Sequence, residues 1–92
     1  MKKTSDKELL AKTLGECASR LPGNPNPIPL RIVKEEIEYL LELVEGKTDD
    51  KSHLKEIQIG LLAVREFEAD DPEFADLIFQ ISDLVQRLKD SS

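Results

Sequence analysis

The chain contains no tryptophan, and among its 92 residues there is only one tyrosine, one histidine and one cysteine. The single cysteine, Cys17, excludes an internal disulfide, so a reducing cytoplasm is the expected compartment. No apolar run approaches the roughly 18 residues that a membrane-spanning helix needs, and the first residues are too polar for a signal peptide. We therefore expect a cytoplasmic protein without a membrane-embedded part.

Basic residues are also scarce. Thirteen Lys and Arg stand against nineteen Asp and Glu, which gives a formal net charge of −6. Nucleic acids and anionic membranes select basic surfaces, so we expect neither as a partner. Residues 1–46 carry seven bases and eight acids, whereas residues 47–92 carry six bases and eleven acids. The excess of acid is concentrated between Glu66 and Gln86, where seven acids and no base occur. This stretch is either a solubilising surface or a surface that steers a basic partner.

Apolar residues recur at helical spacing in four segments, and no segment alternates as a strand does. The pattern predicts an all-α fold, a compact antiparallel bundle of four helices in one domain over residues 1–92. We expect the helices over residues 6–21, 29–45, 50–68 and 72–89, with a Pro-rich linker over residues 22–28. The last helix has the clearest start, because Asp71 is a good N-cap and Pro72 suits the first helical position.

The third predicted helix is apolar on more than one face, which is typical of a central helix. One stripe consists of Leu54, Ile57, Leu61 and Val64, and we expect it to lie in the core. A second group points elsewhere and consists of Ile59, Ala63 and Phe67. Gly60 interrupts this helix, and we expect it to permit close approach of a neighbouring helix.

The chain offers little material for catalysis. His53 is the only histidine and has no zinc-site spacing around it, so a surface position is expected. Cys17 lies on an apolar stripe without a histidine to activate it, which favours a buried structural thiol. Nucleotide-binding glycine motifs and calcium loops are absent from the sequence. We therefore expect no enzymatic activity, no cofactor and no metal.

Two details of the acidic stretch point to recognition of a partner. Glu66 and Glu68 lie near the C-terminal end of the third helix, where the helix dipole disfavours negative charge by about 0.3–1 kcal/mol each. Phe79 projects away from the apolar stripe of the fourth helix and is framed by Asp76 and Asp83 one turn away. An aromatic ring framed by acids is a plausible interface anchor. The alternative is that Phe79 packs against the linker or the N-terminal segment.

The run from Ile57 to Phe74, IQIGLLAVREFEADDPEF, resembles a family of small all-helical immunity proteins of the bacterial type VI secretion system. Its most specific parts are the central glycine, the segment AVREFE and the turn DDPE. With the second helix included, the resemblance covers about residues 28–90. The best-known member of this family neutralises an effector toxin that hydrolyses NAD⁺ and NADP⁺.

The resemblance implies a bacterial cytoplasmic protein that binds a toxin domain tightly and covers its active-site cleft without performing chemistry. A nucleotide-using toxin needs a basic cleft, to which an acidic helical surface is complementary. The predicted partner-binding residues are Glu66, Glu68, Asp70, Asp71, Asp76, Phe79 and Asp83. Immunity to an alarmone synthetase or an ADP-ribosyltransferase remains open, as does a helical adaptor or oligomerisation module. A homodimer also remains open.

Overall fold

A computed structural model of the chain describes residues 5–90. Over this range it contains four α-helices, one 3₁₀ helix over Ser52–Glu56 and no strand, so the predicted all-α class is confirmed. The α-helices are α1 (Asp6–Arg20), α2 (Ile28–Val44), α3 (Ile59–Glu66) and α4 (Pro72–Asp90). The chain divides into two compact units, the first ending at Thr48 and the second beginning at Asp49. The assignment of residues 1–92 to one domain remains a prediction.

The first unit is an antiparallel pair formed by α1 and α2. The thiol of Cys17, late in α1, donates a hydrogen bond of 3.1 Å to the carbonyl of Leu30, early in α2. At the other end, the Lys7 ammonium lies 3.2 Å from the Glu45 carboxylate, just beyond α2. These two contacts join opposite ends of the two helices and therefore fix an antiparallel orientation. Ser5 caps α1 by accepting a hydrogen bond of 3.1 Å from the amide of Glu8.

The buried side chains of the first unit follow helical periodicity. They are Leu9, Leu10, Thr13 and Cys17 in α1, and Pro29, Leu30, Val33, Ile37 and Leu40 in α2. Thr13 is a polar member of this set, and its hydroxyl donates a hydrogen bond of 2.7 Å to the carbonyl of Leu9. The burial of this hydroxyl therefore leaves no donor without a partner.

The predicted helix over residues 50–68 is wrong in its first half. The amide and hydroxyl of Ser52 both bond to the Asp50 carboxylate, at 3.0 and 2.6 Å. Such local side-chain bonds compete with the α-helix, and the chain forms a 3₁₀ turn there instead. Ile57 then adopts an extended conformation with φ −75° and ψ 119°. The α-helix therefore begins only at Ile59.

This break also overturns the predicted core face of the third helix. Leu61 and Val64 are 54% and 51% exposed, whereas Ala63 is fully buried and Phe67 is 9% exposed. The prediction that Leu61 and Val64 lie in the core is wrong. Because Ile57 is extended, the helical phase restarts after it, and a stripe counted onward from Leu54 no longer points inward.

In the second unit α4 supplies most of the buried side chains. They are Phe74, Ala75, Ile78, Ile81, Leu84 and Val85, a set that repeats every three or four residues. The 3₁₀ helix contributes Leu54, and Ile57 and Ile59 follow it. Leu54 and Ile57 are three residues apart, a spacing that places side chains on one face of a 3₁₀ turn as well as of an α-helix.

Candidate protein interface

The acidic stretch falls on α3, α4 and the turn between them, and two contacts define how these helices pair. A Cβ atom at Gly60 would lie 2.7 Å from the Ser82 hydroxyl oxygen, so the backbones approach closely there. The rings of Phe67 and Phe74 meet edge to face, with centroids 5.0 Å apart. These contacts pair the start of α3 with the second half of α4 and the end of α3 with the first turn of α4. The two helices are therefore antiparallel.

This pairing fixes which side chains share the outer side of the hairpin. Gly60 on α3 approaches Ser82 on α4, and the residues buried at helical spacing from them are Ala63 on α3 and Ala75 and Ile78 on α4. On each helix, the next residue in the sequence points about 100° further around the helix axis. Because α3 and α4 are antiparallel, this rotation turns the next side chains on both helices toward the same side of the pair. The row on α3 is then Leu61 and Val64, and the row on α4 is Asp76, Phe79 and Asp83. Glu68 lies beyond the end of α3, in the turn.

We term these five residues the α3–α4 face. Leu61 and Val64 are more than half exposed, at 54% and 51%. Asp76 and Asp83 are exposed, and Phe79 is half-buried. Because Gly60 lies beside Ser82 in an antiparallel pair, Val64 lies at nearly the same height as Phe79, and the two aspartates lie one turn to either side of Phe79. The face thus has an apolar centre of three side chains and an acidic frame on α4, with Arg65 at its outer edge on α3.

Three of the predicted partner-binding residues therefore come together on this face: Asp76, Phe79 and Asp83. Glu66, the last residue of α3, is half-buried and projects to the other side of that helix, toward the side of Ile59. Glu68 and Asp70 are exposed in the turn. The assignment of all these residues to partner binding remains a prediction.

Asp71 stabilises the turn before α4 through two hydrogen bonds. Its carboxylate accepts a hydrogen bond of 3.3 Å from the amide of Phe74, which is the N-cap arrangement expected from the sequence. Its own amide donates a hydrogen bond of 2.7 Å to the carbonyl of Phe67. Asp71 therefore links the end of α3 to the start of α4 and is anchored by both bonds.

Sequence reasoning missed Leu61 and Val64 as surface residues. Their spacing of three matches the Leu54–Ile57 pair, and this suggested one continuous buried stripe. The competing stripe of Ile59, Ala63 and Phe67, which begins beside Gly60, was the signal that could have revealed them. A glycine at a close helix contact marks the packed face, and Leu61 lies one residue beyond that face.

The described residues show no arrangement suited to metal binding. No group of three or more His, Cys, Asp or Glu side chains within residues 5–90 lies close enough to hold a metal ion. His53 is partly exposed, and its Nδ1 lies 3.0 Å from a Glu56 carboxylate oxygen. Burial raises the pKa of the Cys17 thiol above its ordinary value, which opposes formation of a nucleophilic thiolate. No helix in the described part of the chain is long and apolar enough to cross a membrane.

Comparison with known protein families identifies the class of protein to which this chain belongs. A family profile described as Tsi6 matches residues 5–87, and it represents immunity proteins of the type VI secretion system. The chain belongs to the Tsi6 family. This membership confirms the resemblance carried by the run from Ile57 to Phe74, and it implies a cognate effector protein as the partner. Neither individual curated proteins nor solved structures give a match.

Proposed function

We propose that this chain protects the bacterium that makes it by binding a type VI effector toxin in the cytoplasm and covering its active site. The toxin is an NAD(P)⁺ glycohydrolase, and the chain itself performs no chemistry. The observation that carries the proposal is the match of the immunity-protein family to residues 5–87. Protection then depends only on occupancy of the toxin, because a covered cleft cannot admit its substrate.

Electrostatics supports a nucleotide-using toxin as the partner. An enzyme that binds NAD(P)⁺ needs cationic groups around the phosphates, and exposed carboxylates are complementary to such groups. The second unit offers Glu68, Asp70, Asp76 and Asp83 as exposed carboxylates between Glu66 and Gln86, a stretch without Lys or Arg. Glu66 adds a carboxylate in the last turn of α3, where the helix dipole disfavours it. A basic partner would offset that unfavourable interaction.

Growth and enzyme assays test the proposal together. A candidate toxin domain, taken from the reading frame that neighbours this gene, is expressed in a bacterial host with and without this protein. We expect growth to stop with the toxin alone and to be restored by co-expression. Purified toxin should consume NAD⁺, and an equimolar amount of this protein should abolish that activity. This protein alone should consume no NAD⁺.

The outcomes separate the parts of the proposal. Growth that remains arrested despite soluble chain contradicts the immunity function. Turnover of NAD⁺ by the purified chain contradicts its lack of chemistry. A neutralised toxin that consumes ATP or GTP, or that ADP-ribosylates a protein, replaces the glycohydrolase assignment while the immunity function stands.

A further inference from the structure

We infer that the α3–α4 face is the surface that docks on the effector, with Leu61, Val64 and Phe79 as its apolar centre. The inference rests on the proposed function and specifies where the contact lies. Leu61 and Val64 are large aliphatic side chains held more than half exposed on a helix whose other row is packed. Exposed apolar groups beside a half-buried aromatic ring have the composition of an interface core.

The carboxylates around this centre identify the occupant. Asp76 and Asp83 are exposed, and helical geometry places them on the same side of the hairpin as the apolar residues. A polar, charged rim around a desolvated apolar centre is the usual anatomy of a protein interface. Here the rim is acidic along α4, and Glu68 adds an exposed carboxylate in the adjoining turn, so the face fits a partner with cationic groups around an apolar depression. A second copy of this chain presents the same carboxylates and would meet them with like charge.

A second exposed aliphatic pair among the described residues lies in the first unit. Ile28 and Ile32 on α2 are 62% and 42% exposed and lie one turn apart. Arg31 lies between them in the sequence, and Glu35 and Glu36 follow Ile32 by one helical turn. Ile28 and Ile32 therefore provide a matched control, with comparable aliphatic exposure on a helix of the other compact unit.

The test replaces each pair with glutamine, which is polar, neutral and favourable in helices. The first variant is Leu61→Gln/Val64→Gln and the control is Ile28→Gln/Ile32→Gln. Binding to the toxin domain from the neighbouring reading frame is measured as association and dissociation rates. We expect the first variant to dissociate at least about tenfold faster with little change in association, since apolar contacts act after encounter. The control should bind like the parent.

Further measurements make each outcome decisive. Thermal melting should leave both variants close to the parent, because the replaced side chains are exposed. If the parent binds the toxin and the first variant binds equally well, the docking inference is overturned and the proposed function survives. If the parent neither binds the toxin nor protects cells from it, the proposed function itself is contradicted, and the docking inference falls with it. If the parent is a dimer and the first variant is a monomer with parental toxin binding, the face belongs to self-association and the inference is wrong.

Discussion

Gly60 shows at the scale of one residue how the second unit is held together. A Cβ atom there would lie 2.7 Å from the Ser82 hydroxyl oxygen and 3.2 Å from the Ser82 Cβ. The first distance is shorter than van der Waals contact allows, and the second leaves little room for relief by rotation of the hydroxyl. The absence of a side chain at Gly60 is therefore a requirement of the α3–α4 contact, as the sequence suggested.

Alanine at this position should destabilise the protein despite its better helix propensity. We expect Gly60→Ala to lower the free energy of unfolding by about 1–3 kcal/mol, as overpacking does elsewhere. Gly15 in α1 is the matched control, because a Cβ there meets nothing within 4 Å. Gly15→Ala should raise stability by roughly 0.5–1 kcal/mol through helix propensity. Urea unfolding measures both, and a stabilised Gly60→Ala variant would contradict the close contact.

Truncation of Leu61 and Ile81 should have unequal effects, although both belong to apolar stripes in the sequence. Ile81 is fully buried, so Ile81→Ala should cost about 2–5 kcal/mol through lost contacts and a cavity. Leu61 is 54% exposed, so Leu61→Ala should cost less than about 1 kcal/mol. Thermal or urea unfolding of the two variants provides the comparison. Equal large losses would show that Leu61 is buried in solution.

At the scale of elements, the sequence predicted three helices within one residue at each end and misjudged one. The capping residues Ser5 and Asp71 and the prolines in the first turns of α2 and α4 are local signals, and local signals are visible in a sequence. The third helix failed because its start depends on the backbone at Ile57, which no side-chain pattern announces. Its apolar spacing continues through the break, so periodicity alone could not detect the change of phase.

The sequence predicted the acidic residues and the aromatic residue of the candidate interface, but it did not predict its exposed aliphatic residues. The acids and Phe79 were recognisable because charge runs and an aromatic residue out of phase are properties of the sequence. Leu61 and Val64 were missed, since their exposure follows from the restart of the helix at Ile59 and from the pairing of Gly60 with Ser82. The pairing is a tertiary contact between residues more than twenty positions apart.

The contact between Lys7 and Glu45 ties the start of α1 to the end of α2 and makes a pH-dependent contribution. A hydrogen bond from Lys7, with the charge of Lys47 nearby, holds the pKa of Glu45 below its ordinary value of 4.5. A carboxyl group with a lowered pKa in the folded state stabilises the fold above its unfolded pKa. That contribution is lost as the pH falls through the lowered folded value.

Glu45→Gln should therefore lower the melting temperature slightly at pH 7, and Lys7→Gln should do the same. The double variant should show that the two losses are not additive, because they report one interaction. The coupling should disappear in high salt and at a pH below the folded pKa of Glu45. Melting curves of the four proteins at two pH values give the answer. Coupling that persists in acid would assign it to packing of the side chains.

At the scale of the whole molecule, the uneven distribution of charge should govern the rate of association with the effector. Replacing Glu66, Glu68, Asp70, Asp76 and Asp83 with Gln or Asn changes the net charge from −6 to −1. Asp71 is left intact because its carboxylate caps α4. We expect association with the toxin domain to slow at least about tenfold at low salt, and its salt dependence to flatten. Rates at two ionic strengths measure the effect.

A control with the same net charge separates location from total charge. Replacing Glu8, Glu35, Glu36, Glu38 and Glu42 with Gln removes five negative charges from the first unit instead. If steering is local, this control should associate nearly as fast as the parent. If both variants slow equally, overall charge controls the encounter and the acidic stretch has no special position in it.

The alternation of rows along α3 also bears on how such a protein can change over generations. Gly60 and Ala63 are packed, whereas the residues directly after them, Leu61 and Val64, are exposed. We expect substitutions in the exposed row to leave the hairpin intact, so that a lineage can alter that surface without losing the fold. A toxin that drifts in sequence could then be followed by single replacements on an eight-residue helix, while neighbouring positions stay under selection for packing.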